Sequence, residues 1–173
     1  MVTRLYVDIV NRRLVESASS SSPANLPAVF LGDTWRVSVG LFLPTNNFAT
    51  PLAVWGTGSN IAEGGALYGE FGAQYTLRCA IGTAAAPLVD VASWTWHPFD
   101  AADPDTLSDP SLFTFTGEIP LDGAPLAAAL LGLESLASEL EFEIEGPLPA
   151  GAGKYSTILQ APITIHADII KHP

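Results

Sequence analysis

The chain is poor in positive charge and in long apolar runs, and both shortages exclude classes of protein. Seven lysines and arginines stand against 18 acidic residues in 173 positions, so the formal net charge is -11. Such a chain repels phosphate backbones and anionic lipid headgroups, and we predict neither nucleic-acid binding nor membrane insertion. No apolar run approaches the ~20 residues of a membrane-spanning helix. Residues 1–10 alternate instead of forming a signal peptide's apolar block, which predicts synthesis inside a cell without a signal peptide.

Cysteine is represented by one residue, Cys79. A single thiol excludes an internal disulfide and cannot form a zinc site without several histidines that converge on it. We therefore interpret Cys79 as a small buried hydrophobic residue on a strand.

What the sequence does contain is period-two alternation, interrupted by many of its 15 glycines and 14 prolines. Alternation is typical of half-buried strands, and a high content of turn residues favours short strands over long helices. No strand–helix–strand rhythm occurs. We predict one mostly β domain over 1–173, an antiparallel, Greek-key-like β-sandwich, with exposed loops at 17–25 and 44–72. The first alternating segment is predicted to fold as a hairpin, and 74–81 is predicted to pair with the segment after Pro87 as a second one, with Cys79 pointing inward and Arg78 outward. The alternating segments are 5–16, 35–41, 74–81, 88–98, 112–116, 139–145 and 155–170.

One short helix is predicted after residue 121. Asp122 or Gly123 can cap its start, Pro125 is tolerated in the first turn, and Gly132 ends it. A helix of about eight residues needs tertiary packing, so we expect it to lie on a sheet. The side chains expected to make that contact are Leu126, Leu130 and Leu131.

The last alternating run contains Pro162, which cannot donate a backbone hydrogen bond. A proline inside a sheet indicates an edge, a bulge or a change of partner. The sequence leaves open whether 155–170 forms one strand or two.

Candidate catalytic and metal-binding residues lack the patterns that their chemistry needs. A triad on His97 or His166 has no G-x-S-x-G nucleophile turn beside it, and His172 is close to the last residue. We predict that the chain is not an enzyme. The loop 99–110 has four aspartates but lacks the glycine and terminal glutamate of an EF-hand, so we predict no cofactor, with calcium on Asp103 and Asp105 as the alternative.

Trp94 and Trp96 fall on the same face of one predicted strand. Exposed, the pair would form a platform for a sugar ring, and the chain would be a carbohydrate-binding or adhesion module. Buried, the pair would fill the middle of the sandwich, which we favour because aromatic residues dominate the core area of small β domains.

Four glutamates, from Glu139 to Glu145, alternate with Leu140, Phe142 and Ile144. One interpretation is a charged outer face that keeps sheets from aggregating. The other is a surface that docks a basic partner. We favour the first.

Two segments resemble virion structural proteins of tailed phages, in particular the N-terminal domain of baseplate upper proteins. The first is Phe30–Leu31–Gly32–Asp33–Thr34–Trp35–Arg36–Val37–Ser38–Val39, which follows the opening hairpin and has the form x-x-G-D-T-h-x-h-x-h. The second, 159–170, is similar to closing strands of the form Q-x-P-h-x-h-x-x-D-h in phage tail and particle proteins. Together they cover about an eighth of the chain, and neither motif carries chemistry.

The resemblance implies a β-sandwich that trimerises or sits in a ring and anchors other virion proteins. It places the chain in the virion, as a non-enzymatic structural component that assembles through protein–protein contacts. An apolar composition, 48% hydrophobic with 14% charged residues, also favours protein interfaces. We expect 17–25 and 44–72 to act as contact arms.

Overall fold

The computed structural model describes residues 2–17, 20–45, 48–50, 76–83, 86–97, 113–145 and 156–167. This part of the chain is mostly β with one short helix, and its strands form two sheets that face each other as a sandwich. The mostly β fold class is therefore confirmed. The strands are β1 (Thr3–Asp8), β2 (Arg13–Val15), β3 (Val29–Phe30), β4 (Thr34–Thr45), β5 (Phe48–Thr50), β6 (Thr76–Thr83), β7 (Ala86–Val91), β8 (Thr95–His97), β9 (Phe113–Pro120), β10 (Ser135–Glu145) and β11 (Ser156–His166), and helix α1 is Ala124–Leu130.

Sheet I has the strand order β2-β1-β4-β9-β8, with β5 paired to β4, and sheet II has the order β3-β11-β10-β6-β7. Both sheets are mixed, which corrects the expectation of a purely antiparallel sandwich. β1 runs parallel to β4, and β3 runs parallel to β11. Alternation cannot distinguish the two directions, because side chains alternate between faces in parallel and antiparallel strands alike.

The core lies between the sheets, where the alternating apolar residues of both meet. On β4 the four predicted inward residues are buried, and on β10 the three apolar residues between the glutamates are buried. The two predicted hairpins form, β1 with β2 and β6 with β7. The period-two alternation of apolar residues on these strands thus located the core correctly. The buried residues on these two strands are Trp35, Val37, Val39, Leu41, Leu140, Phe142 and Ile144.

Helix α1 forms where predicted, with Gly123 at its N-cap and Pro125 in the first turn. Leu126 and Leu130 are buried, as expected, but Leu131 is 86% exposed. The prediction for Leu131 is wrong because the helix ends at Leu130. Leu131 has non-helical backbone angles and Gly132 follows with a φ of 80°, so position 131 leaves the buried side of the helix.

Pro162 lies inside one continuous strand, β11. It pairs with Glu139 of β10, while β3 reaches β11 only at Ile165 and His166. Among the described residues, Pro162 is therefore paired with a neighbouring strand on one side only. Proline is tolerated at such an edge position because it has no N–H to donate on the other side.

The predicted contact arms lie partly outside the described residues. Of 17–25, Ser21 and Ser22 are exposed, and Pro23 makes a bridge to Val15. Of 44–72, the first two residues belong to β4 and 48–50 form β5, while 46–47 and 51–72 are outside. None of the helical residues that the structure describes belongs to a segment that could span a lipid bilayer.

Candidate functional site: a junction of two motifs and an acidic groove

The segment Phe30–Val39 crosses from one sheet to the other. Phe30 ends β3 in sheet II and Thr34 begins β4 in sheet I. Gly32 has a φ of 91°, a conformation that favours glycine, and its N–H donates to the carbonyl of Leu121 at 2.8 Å. Leu121 in turn donates to the carbonyl of Asp33 at 2.9 Å. The G-D-T motif is thus the turn that ties the two sheets together.

The second motif lies directly beside this turn. In the parallel pair of β3 and β11, Ile165 opposes Val29 and His166 opposes Phe30. The N–H of Leu31 donates to the carbonyl of His166 at 2.9 Å, and the rings of Phe30 and His166 are 5.4 Å apart. The two segments selected from the sequence for the same resemblance therefore form one structural unit. We call it the junction: residues 29–33 with residues 165–167.

Apolar side chains are exposed at and near the junction. The N–H of Ala167 donates to the carbonyl of Glu134 at 2.9 Å, which holds the loop after α1 against the end of β11. That loop exposes Leu131 and Leu133, and the junction itself exposes Phe30. Large apolar side chains in water at one region of a sandwich are a feature of protein-contact surfaces.

The two tryptophans from the sequence analysis are both half-buried and pack on the core. The Trp94 ring meets the Phe142 ring edge-on at 5.4 Å, and its indole N–H donates to the carbonyl of Val91 at 3.2 Å. Phe142 belongs to sheet II, while the other neighbour of Trp94, Gly117, belongs to sheet I. Trp94 thus fills space between the sheets. Trp96 opposes the buried Phe115 across β8 and β9.

Three glutamates of β10, Glu139, Glu141 and Glu143, line a groove of about 480 Å³ on the outer face of sheet II. Its floor includes small residues of β6. The strand pairing shifts register at two places beside the groove, between Ile81 and Gly82 on β6 and between Phe142 and Glu143 on β10. Such irregularities bend strands, which favours a concave face. We call this surface the acidic groove; it is lined by Arg78, Ala80, Gly82, Ala86, Pro87, Asp90, Glu139, Glu141, Glu143 and Gln160.

Two of the acidic groups in the groove have partners from the chain itself. Glu141 accepts hydrogen bonds from Thr157 at 2.8 Å and from Gln160 at 3.3 Å. Arg78 and Asp90 form a two-bond ion pair between β6 and β7. The hydrogen bond from the Arg78 guanidinium, together with its charge, lowers the pKa of Asp90 against a smaller opposing effect of burial.

The candidates for chemistry are not brought together in the described residues. His97 ends β8, whereas His166 is half-buried in the other sheet, with its ring tilted against that of Phe30. Asp103, Asp105 and His172 lie outside the described residues. Elsewhere in the chain as described, no three His, Cys, Asp or Glu side chains converge as a metal site. Cys79 is buried, as predicted, and burial raises the pKa of its thiol.

No family model matches the chain, and no curated protein matches it. Among solved structures, the chain is similar to the N-terminal domain of phage TP901-1 ORF48, with 8% identity and a TM-score of 0.34 over 96% of this chain and 98% of that one. A similarity of this degree assigns no function to the chain.

Sequence reasoning missed that the two motifs touch and that the acidic face is a groove. The contact between the motifs depends on a parallel pairing of segments that are distant in the sequence. The alternation of apolar and polar residues gives no signal for such a pairing. The groove had a partial signal, because Arg78 was predicted to point outward from its strand. Nothing in the pattern indicated that Asp90 on the neighbouring strand would pair with it.

Proposed function

We propose that the chain is a non-enzymatic structural component of a tailed phage or phage-like particle. In this proposal it carries no cofactor, resides in the virion, forms a homo-oligomer and contacts other virion proteins. The observation that supports it most is the junction. Two segments that separately resemble phage tail and baseplate proteins are held side by side by the Leu31–His166 hydrogen bond and the Phe30–His166 ring contact.

The junction residues have architectural roles. Gly32 supplies the positive φ of the turn, the carbonyl of Asp33 accepts a backbone hydrogen bond from Leu121 that extends the pairing of β4 with β9, and the His166 ring contacts the Phe30 ring at a tilt. None of these contacts prepares a nucleophile or a general base, which would need a hydrogen-bonded partner positioned to transfer a proton. Motifs whose residues set the chain path suit a scaffold, and the scaffold here exposes Leu131 and Leu133 near the junction.

The test is whether the chain is part of a particle. Particles produced by the organism that encodes the chain would be banded on a density gradient and probed for it with an antibody. We expect the chain to band with the particles and to resist washing in high salt. If the chain stays at the top of the gradient, and deletion of its gene leaves particle shape and number unchanged, the proposal is wrong.

A further inference from the structure

Charge is distributed unevenly between the two outer faces of the sandwich. The lysines and arginines in the described residues are five arginines, and only Arg78 belongs to sheet II. Arg4, Arg12, Arg13 and Arg36 all lie on strands of sheet I or in the turn between β1 and β2. The glutamates of β10, in contrast, all belong to sheet II. Sheet I also holds Asp8, which is bonded to Arg13, and Glu118, which is bonded to Arg36. The strands and first hairpin of sheet I, as described, therefore keep a small positive excess, while the described strands of sheet II keep a larger negative excess.

On sheet I the arginines point away from the core. Leu5 and Val37 are buried inward, so the neighbouring Arg4 and Arg36 lie on the outer side, and both are exposed. Arg36 bonds Glu118 at 2.8 Å, but both side chains are more than half exposed, at 62% and 58%. An ion pair so open to water is weak and can exchange partners. We call this surface, with Arg4, Arg36 and the hairpin arginines, the arginine face.

On sheet II the acidic groove keeps an excess of negative charge. Among its described lining residues the one cation is Arg78, which is already bonded to Asp90. Glu139 is exposed and Glu143 is half-buried, and both line the groove. A concave surface lined by one sign of charge concentrates its field, so it favours a cationic surface that fits it.

We propose that the arginine face of one copy docks on the acidic groove of a second copy. The inference rests on the homo-oligomer of the proposed function and names its contact surfaces. The chain carries both complementary halves on opposite sides, so copies can stack head to tail. A symmetric contact would instead place acid against acid or arginine against arginine. Head-to-tail contacts close into a ring when the rotation between copies allows it.

The first test uses the unaltered chain. Its mass would be followed by light scattering during gel filtration at NaCl concentrations from about 0.05 to 0.5 M, a range over which the screening length falls from roughly 14 to 4 Å. We expect oligomers at low salt and a shift of the assembly midpoint by at least about tenfold in protein concentration at high salt. An oligomer whose mass does not change with salt would overturn the inference.

The second test reverses each face separately. Glu139→Lys with Glu143→Lys makes the groove basic, and Arg4→Glu with Arg36→Glu makes the arginine face acidic. Each double variant is expected to be monomeric alone, because both of its faces then have the same sign. Mixed in equal amounts, the two are expected to form oligomers again, since each can dock on the other.

The matched control is Asp122→Lys with Glu134→Lys. Both residues are exposed, and the control changes net charge as much as the groove variant does without altering either face. It is expected to assemble at least as well as the unaltered chain. Circular dichroism would show whether each variant is folded, and the salt series remains decisive if one is not.

The outcomes separate the two proposals. If the chain bands with particles but copies never associate with each other, the docking proposal falls and the virion role stands. A second outcome is that copies associate but both reversed variants still assemble, or that the mixture of variants stays monomeric. The chain then forms a homo-oligomer, but through surfaces other than the arginine face and the acidic groove. If the salt and mixing results are as expected but the chain does not band with particles, the contact stands and the virion role falls.

Discussion

The indole ring of Trp94 lies directly on Gly117 of β9. A Cβ added at position 117 would stand 2.6 Å from Cε3 of Trp94, closer than side chains approach in proteins. The glycine therefore provides the space into which the tryptophan packs, and the ring connects sheet I to Phe142 of sheet II. The ring thus fills the space between the two sheets near their edge strands, β8 of sheet I and β7 of sheet II.

Gly117→Ala should destabilise the fold, because the methyl group must displace a ring held on both sides. Overpacking of this kind costs about 1–3 kcal/mol. The change would be measured by urea unfolding monitored by tryptophan fluorescence. Gly123→Ala is the control, since the nearest atom is Pro125 Cδ at 3.7 Å and its φ is −65°. Equal stability of Gly117→Ala and the unaltered chain would contradict the packing described here.

Trp94→Ala distinguishes a core residue from a sugar platform. A half-buried ring that contacts both sheets should contribute to folding, so we expect a loss of about 2–4 kcal/mol. Trp94→Phe should recover part of it. A glycan array run on the unaltered chain completes the test. Sugar binding that disappears in a Trp94→Ala variant of normal stability would favour the carbohydrate-binding alternative instead.

Asp8→Ala should open the first hairpin. The Asp8 carboxylate is buried and accepts hydrogen bonds from the N–H of Val10 and from both the backbone and the side chain of Asn11, and it also pairs with Arg13 at 3.3 Å. Removing it leaves several donors without their acceptor, which costs about 1–3 kcal/mol. Unfolding midpoints would be compared with those of the exposed control Asp122→Ala. Identical midpoints would show that the turn does not depend on Asp8.

Stability should fall at acid pH partly through Asp90. Its pKa is lowered in the folded chain, so its contribution is present above the unfolded value of about 3.8 and is lost as pH falls through the folded value. The ion pair is accessible to solvent, so the effect is small, below about 1 kcal/mol. Asp90→Asn should flatten the decline in unfolding free energy below pH 5. An unchanged pH profile would contradict the pairing with Arg78.

Cys79 should react with thiol reagents only when the chain unfolds. The side chain is 1% exposed, and burial raises the pKa of its thiol, so little thiolate is present at neutral pH. Labelling with a coloured disulfide reagent should be slow in buffer and complete in concentrated urea. Rapid labelling of the native chain would show that β6 is accessible.

Much of the sandwich could be predicted, and the failures share a cause. Period two located the inward residues of β4, β6 and β10 because one face of each strand is buried in a single core. It could not give strand direction, so the parallel pairs of β1 with β4 and of β3 with β11 were missed. Leu131 was assigned to the packed side of α1 because sequence patterns do not locate a helix end to one residue.

The candidate site was less accessible to sequence reasoning. The glutamate row was visible as a pattern, but the groove also depends on Arg78, Asp90 and Gln160, which come from three other strands. The junction was visible only as two unconnected resemblances. Which residues share a surface depends on the order of strands in the sheet, and that order is set by the whole core.

The pairing of β3 with the end of β11 has a consequence for how the chain acquires its structure during synthesis. Val29 and Phe30 leave the ribosome long before Ile165 and His166, the residues they pair with. Until then, the turn at Gly32 lacks one of the two strands that flank it. Pairing between such distant segments slows folding. Completion of sheet II should therefore wait until the residues that β3 pairs with have been synthesised.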